Sequence, residues 1–319
     1  MGLMIDGEYH TKDPGADTVE DGEFKRKRAT IRDWIAHPDA PIPDGACRYP
    51  PEAGRYHLYA AWNCPWAHRA LLTRVFKGLE EVISVSYARP RRTDQGWVYD
   101  EDGPYADPCL GVSALHQVYA RQTPGYTGRL TVPVLWDTQE ARIVSNESAD
   151  IIKMLDAAFG TPGQLCPPAL RDRIDAWNAR IYPGLNNGVY RAGFARTQDA
   201  YEKGCRDVFD TLDAIETQLG KTRYLTGERF TEADLRLFPT LARFDVAYHY
   251  AFKCNIHRLI DLPNTWAYAR DIYQMPGVAG TVDFGIYKTG YFSPSELRNP
   301  LGIVPLGPHI DWSPPHGRG

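Results

Sequence analysis

The chain has 319 residues, with 36 basic and 40 acidic side chains and a formal net charge of −4. That length exceeds what one compact domain ordinarily needs, so two domains are expected. The near balance of charge sets nucleic acid and anionic membranes aside as partners and favours a small or neutral ligand. The opening MGLMIDGEYH carries acids and no apolar core, and no stretch approaches the ~18 apolar residues that span a bilayer. A cytoplasmic protein with no membrane partner is expected. Cys47, Cys64, Cys109, Cys166, Cys205 and Cys254 are scattered without metal-type pairing, so reduced thiols and no metal are expected.

Residues 1–54 form an N-terminal extension rich in Asp, Gly and Pro, where little regular structure is expected. Its basic run KRKR at 25–28 has two readings, a nucleic-acid footprint or a solvated surface paired with Glu20, Asp21 and Glu23; isolation in an acidic chain favours the second. One short helix is expected over 30–37, where Ile31, Trp34 and Ile35 recur at helical spacing.

Residues 56–60 alternate as a strand does, Trp62-Asn63-Cys64 makes a turn, and Pro65 stands at a first helical position. A helix over 67–77 closes at Gly78. Strands are expected at 82–85, 132–136 and 141–144, after which Ser145-Asn146-Glu147-Ser148 caps a helix running to about Phe159. This order, with a cysteine at the first strand-to-helix junction, is that of a thioredoxin-like domain over 55–160. Residues 88–130 are a long insertion in it, and loops of that length are usually functional.

The remainder reads as an all-helical domain over 168–285 and a Pro- and Gly-rich tail over 286–319. Tyr201, Cys205, Val208, Leu212, Ile215 and Leu219 lay one apolar stripe along a helix. Phe230-Thr231-Glu232-Ala233-Asp234 supplies a staple residue, an N-cap threonine and an acid three residues on, opening a helix to about Tyr250.

A thiol attacks as thiolate, and a cysteine at a helix N-terminus ionises more readily because unpaired backbone N–H groups favour the anion. Cys64-Pro65-Trp66-Ala67-His68-Arg69 is such a setting, with His68 and Arg69 as further sources of positive charge. A lone cysteine is ordinarily a packing residue, but a Cys-Pro-aromatic junction after a strand reverses that expectation. Ala67 stands where a dithiol oxidoreductase holds its resolving cysteine, so a mixed disulfide on Cys64 needs an external thiol, for which glutathione is the abundant candidate. Thr131-Val132-Pro133-Val134 puts a proline at a strand entrance; a cis bond there would free the Val132 backbone for an extended peptide ligand, and a trans bond would not. Glu147 and Ser148, in a helical first turn, either cap that helix or hold the charged ends of a γ-glutamyl group.

The stretches AAWNCPWAHR (60–69), TVPVLWD (131–137), SNESADIIKML (145–155), NNGVYRAGFA (186–195), TGERFTEADLRLFPTL (226–241) and NPLGIVPLGP (299–308) closely resemble the glutathione transferase superfamily, and within it the xi class, the glutathionyl-hydroquinone reductases. The resemblance implies a homodimer with a thioredoxin-like N-terminal domain and a helical-bundle C-terminal domain, using glutathione as co-substrate to reduce glutathionyl-hydroquinones. It makes Cys64 the nucleophile, assigns Glu147 and Ser148 to the γ-glutamyl end and Val132 to the cysteinyl backbone, places Trp97 over glutathione and makes Arg129 a ligand of its glycyl carboxylate. Tyr190 and Tyr291 resemble the tyrosines of the family's acceptor pocket. Gly290 stands where members commonly have a histidine; a polar contact to the aromatic substrate is then missing, and Tyr287 is the residue at hand to replace it. Two other functions fit the same residues: an omega-like thioltransferase or dehydroascorbate reductase acting through Cys64, and a non-catalytic protein binding aromatic ligands.

Overall fold

A computed structural model describes residues 2–11, 19–122 and 125–318. The chain divides into two compact units, Met1–Asp17 with Lys27–Pro162, and Thr18–Arg26 with Gly163–Gly319. The stretch expected as one separate N-terminal extension is thus shared between both.

In the first unit, β1 (Leu3–Ile5) and β2 (Glu8–His10) form a hairpin, followed by β3 (Tyr56–Ala61), α1 (Pro65–Phe76) and β4 (Ser84–Ala88). The 88–130 insertion supplies α2 (Leu115–Gln122) and β5 (Gly128–Arg129), and β6 (Val134–Asp137), β7 (Arg142–Ser145) and α3 (Ser148–Ala158) complete the unit. The main sheet runs β7-β6-β3-β4, with β3 and β4 parallel and β6 antiparallel to both β3 and β7. This is the expected thioredoxin-like order, with boundaries shifted by at most three residues. Every residue of the central β3 is buried, as befits a strand covered on both faces. The insertion is no surface loop, because Trp97, Tyr99, Val112, Leu115, Val118 and Tyr119 join the hydrophobic core.

Two expectations for the N-terminal stretch are corrected. β1 and β2 are joined through Asp6 and Gly7, both at positive φ (50° and 84°), the geometry of a two-residue Asp-Gly hairpin turn. β1 also pairs with β5, placing Leu3 opposite Arg129. A second Asp-Gly hairpin, Val19–Glu20 with Glu23–Phe24, turns at Asp21 and Gly22 in the other unit. The helix expected over 30–37 is instead extended. Asp33 N–H donates to the Val144 carbonyl (2.9 Å), Arg32 bridges to Ser145, and Trp34–Ile35 pairs parallel with Arg48–Tyr49. Two turns of helix are marginal alone, whereas the edge of β7 offers ready partners.

Beneath β3, the His57 ring nitrogens lie 2.7 Å from Ser84 Oγ and 2.8 Å from Ser86 Oγ, and Ser86 Oγ donates to Asp107 Oδ1 at 2.8 Å. Burial pushes the imidazole from 6.5 down to about 4, with Asp107 opposing the shift and Arg74 reinforcing it. The folded protein therefore refuses a proton that the unfolded chain accepts. Stability from this group is complete above pH 6.5 and is lost as the pH falls toward about 4. A shift of that size corresponds to about 3 kcal/mol. Urea unfolding at pH 7.5 and 4.5 should show the loss, and His57→Gln should flatten it.

The second unit is helical: α4 (Arg171–Ile181), α5 (Gly188–Gly193), α6 (Gln198–Leu219), α7 (Glu232–Arg243), α8 (Pro263–Tyr273) and α9 (Phe284–Tyr291). Five of the six stripe residues of α6 are buried as expected: Cys205, Val208, Leu212, Ile215 and Leu219. α7 opens on the expected Thr231 N-cap, closed reciprocally by Asp234, and continues through a π-helical turn, Phe244–Tyr248, to Ala251. Arg318 ties the tail down, its guanidinium donating to the carbonyls of Leu219, Thr222 and Arg223. Among the described residues, no helix is long and apolar enough to cross a membrane.

Candidate active site

Cys64 is the N-cap of α1, in extended conformation (φ −85°, ψ 115°), and its side chain makes no capping bond. Its backbone is fixed on both sides: the N–H donates to Ala61 O (3.0 Å), and the carbonyl accepts from His68 N–H (3.0 Å). Pro65, at the first helical position, fits there because that position needs no N–H. The turn before it is held by Trp62 stacked on Tyr87 (4.9 Å between centroids) and by Asn63 Nδ2 donating to Pro90 O (3.1 Å). His68 and Arg69 are both buried, and the Arg69 guanidinium lies 4.5 Å from the centroid of the Trp66 ring.

Cys64 Sγ lies 3.5 Å from the carbonyl oxygen of Val132, and the Val132–Pro133 peptide is cis. Of the two geometries left open by the sequence, the cis one is present. Glu147 is the N-cap of α3, its Oε1 accepting from Ala149 N–H (2.9 Å), and Ser148 begins the helix with 3% of its surface exposed. Capping is thus one role of Glu147, performed through a single oxygen.

Tyr119, missed in the sequence, joins these parts. Its hydroxyl donates to Thr131 O (2.9 Å) and accepts from Asn146 Nδ2 (3.1 Å). It therefore ties the loop that carries the cis peptide to the residue preceding Glu147. Asn146 also accepts from Ile31 N–H through Oδ1 (3.2 Å), and Arg32 forms a two-pronged ion pair with Asp150 (2.6 and 2.9 Å). The sequence held one signal for Tyr119: Leu115, Val118 and Tyr119 share a helix face, and a buried tyrosine needs a polar partner. Other contacts set the remaining two expected residues. Trp97 is 8% exposed beneath the Arg92 guanidinium (5.0 Å), and Arg129 is half-buried in β5 opposite Leu3.

The second unit carries a phenol cluster. Tyr291 Oη lies 2.8 Å from both Tyr190 Oη and Tyr248 Oη, a three-hydroxyl chain bordered by Phe194 and Phe252. Tyr190 and Tyr291 are half-buried and Tyr248 is fully buried. Burial and the neighbouring phenols push Tyr248 and Tyr291 well above the ordinary tyrosine range. Tyr248 escaped sequence reasoning, since its only signal is the spacing of Phe244, Tyr248 and Phe252 along one helical face.

Tyr287, expected as a direct substrate contact, is instead fully buried, its ring 3.8 Å from the guanidinium carbon of Arg243 and its hydroxyl donating to Thr281 O (3.4 Å). It has no exposed surface with which to meet a substrate. The basic run divides likewise. Lys25, Lys27 and Arg28 are exposed and Lys25 pairs with Glu23, whereas Arg26 donates to Asn187 Oδ1 (2.6 Å) and lies 4.8 Å from the centroid of the Tyr190 ring.

A thioredoxin-type sheet with one thiol at a helix cap beside a cis proline, coupled in sequence to a helical domain, defines a monothiol protein of the glutathione-using kind. The family models for the glutathione S-transferase N-terminal and C-terminal domains match residues 63–158 and 198–271. The chain is 46% identical to the glutathionyl-hydroquinone reductase YqjG of Escherichia coli (strain K12), covering 100% of this chain and 98% of that protein. It is 45% identical to the glutathionyl-hydroquinone reductase PcpF of Sphingobium chlorophenolicum, covering 97% and 96%. Among solved structures, the glutathione-bound YqjG superposes with a TM-score of 0.90 at 44% identity, covering 99% of each chain. A Xi class transferase from Natrialba magadii does so with 0.90 at 40% identity, covering 100% and 96%. The chain belongs to the glutathione transferase family, in its Xi class.

Proposed function

We propose that this protein is a glutathionyl-hydroquinone reductase, which removes glutathione from a glutathionylated quinol through Cys64. The observation that carries the proposal is the monothiol geometry: Cys64 caps α1 beside the cis Val132–Pro133 carbonyl, with Ala67 where a second thiol would resolve the disulfide. The Cys64 thiolate attacks the sulfur of the glutathionyl thioether, and the hydroquinone leaves with a proton at the ring carbon that bore the sulfur. A second glutathione then displaces Cys64 from the mixed disulfide, releasing oxidised glutathione.

In this reading Val132 pairs with the cysteinyl backbone of glutathione and Glu147 and Ser148 take its γ-glutamyl end. Trp97 covers the bound tripeptide, and Arg129 takes the glycyl carboxylate. Tyr190 and Tyr291 bond the quinol oxygens, with the buried Tyr248 hydroxyl holding that of Tyr291 from behind. Assembly as a homodimer in the cytoplasm accompanies the reading and is supported by the family resemblance.

The phenol chain favours a quinol over a simple mixed disulfide, because three hydroxyls in series offer donors and acceptors that an alkyl disulfide does not use. A panel comparing a glutathionyl-hydroquinone, a glutathione mixed disulfide and dehydroascorbate tests it. The conjugate should turn over fastest; mixed disulfides or dehydroascorbate far ahead of it would make the protein an omega-like thioltransferase instead.

A further inference from the structure

The open end of the hairpin made by β6 and β7 is held together by a side chain from outside it. The two strands pair antiparallel, and their ladder ends at Leu135 opposite Ser145. Among the described residues no sheet pairing joins 131–134 to 146–148 beyond that point. Those two stretches carry Val132 on one side and Glu147 and Ser148 on the other. Tyr119 of α2 closes the gap: its Oη donates to Thr131 O (2.9 Å), lies 3.4 Å from Thr131 N, and accepts from Asn146 Nδ2 (3.1 Å).

Elementary chemistry fixes the direction of each bond. The Ile31 N–H can only donate, so the Asn146 atom it meets at 3.2 Å is the amide oxygen, and the amide nitrogen is left for Tyr119. With a donor on that side, the single phenol proton goes to the Thr131 carbonyl. The helix that presents this hydroxyl is itself constrained. Gln117 Oε1 accepts from Ser113 N–H (2.9 Å) at its start, Gln122 Oε1 accepts from the Ile143 N–H of β7 at its end, and the His116 ring stacks on Tyr9 of β2 with 4.4 Å between centroids. Tyr119 is fully buried, so the bridge is sheltered from water.

We infer that Tyr119 is a positioning residue that sets glutathione affinity: its hydroxyl holds the Val132 backbone at the distance from Glu147 and Ser148 that one extended tripeptide requires. The inference rests on the glutathione contacts proposed above. A site divided between two elements binds well only when their spacing is held to about half an ångström, and here that spacing depends on a group that touches no ligand.

The test is calorimetric titration of the full-length protein with reduced glutathione under anaerobic conditions. Tyr119→Phe should weaken binding about 10-fold, since it leaves the Thr131 carbonyl and the Asn146 amide without their partner. KM for glutathione and KM for a glutathionyl-hydroquinone should rise by the same factor, because both enter through the same tripeptide contacts, while kcat falls by less. Tyr99→Phe is the control. It removes the same atom from the same insertion, but the buried Tyr99 hydroxyl has no hydrogen-bond partner among the described residues, so glutathione affinity should stay at the wild-type value. Asn146→Ala cuts the bridge at its other end and should weaken binding comparably, and the double variant with Tyr119→Phe should lose little more than either single one. Wild-type affinity in a folded Tyr119→Phe, equal losses in Tyr119→Phe and Tyr99→Phe, or additive losses in the double variant overturns the inference. Should Tyr119→Phe not fold, Asn146→Ala decides: a like loss sustains the inference and wild-type affinity overturns it. Absence of glutathione binding by the wild-type protein also overturns it. A wild-type protein that binds glutathione but releases no hydroquinone defeats the functional proposal instead, and the calorimetry still decides the role of Tyr119.

Discussion

Replacing Cys64 by alanine is expected to lower glutathione-dependent release of hydroquinone by about 10³-fold or more, because no other group in the motif can form the covalent intermediate. Its immediate neighbours are Asn63 and Pro65, and Ala67 follows one turn later. Three of the other cysteines are poorly placed to substitute: burial raises the Cys109, Cys205 and Cys254 thiols, which keeps them protonated. Glutathione affinity should survive, since Val132, Glu147, Ser148 and the Tyr119 bridge are untouched. Cys64→Ser should behave the same way, because a hydroxyl at a helix N-terminus remains protonated at neutral pH. Steady-state turnover, titration calorimetry with glutathione, and mass spectrometry of the protein after exposure to oxidised glutathione together check the prediction. Turnover at the wild-type rate, or a glutathione adduct on another cysteine that supports turnover, would remove Cys64 from the reaction.

The largest expected loss of stability follows from Asp234→Ala. This fully buried carboxylate accepts four hydrogen bonds: from Thr231 N–H (2.8 Å), Thr231 Oγ1 (2.9 Å), Leu225 N–H (2.9 Å) and Tyr268 Oη (2.8 Å). It joins the start of α7 to the turn before it and to α8. Truncation leaves two backbone N–H groups and two hydroxyls buried without their acceptor, and removes half of a reciprocal cap. About 3–5 kcal/mol is expected, more than an exposed cap is worth. Asp234→Asn keeps the shape and two lone pairs and should lose less, while Tyr268→Phe alone should cost only about 1 kcal/mol. Urea midpoints of the three variants measure the order. A wild-type midpoint for Asp234→Ala would show that the capping network contributes nothing.

Much of this architecture was readable because it rests on contacts between near neighbours in the chain. The strand, turn and helix around Cys64, the stripe of α6 and the Thr231–Asp234 cap each depend on residues within a few positions of one another. The two Asp-Gly hairpins belong to the same class. IDGEY and EDGEF are short hairpin signals that the composition of the extension obscured. The helix expected over 30–37 had the right spacing and the wrong length, so strand edges made elsewhere in the chain decided its conformation.

Residue order alone placed a lone cysteine at a helix cap, with no second thiol at Ala67 and a proline at a later strand entrance. Tertiary structure decided which distant groups meet. Tyr119 bridges Thr131 and Asn146, the Val132 carbonyl faces Cys64 across a cis peptide, and Tyr287 turns inward to seat Arg243. The physical reason is the range of the forces. Caps, turns and periodic stripes are set by backbone geometry over one or two helical turns, whereas a buried hydroxyl or guanidinium takes whichever partner the packed core brings to it, however far along the chain that partner lies.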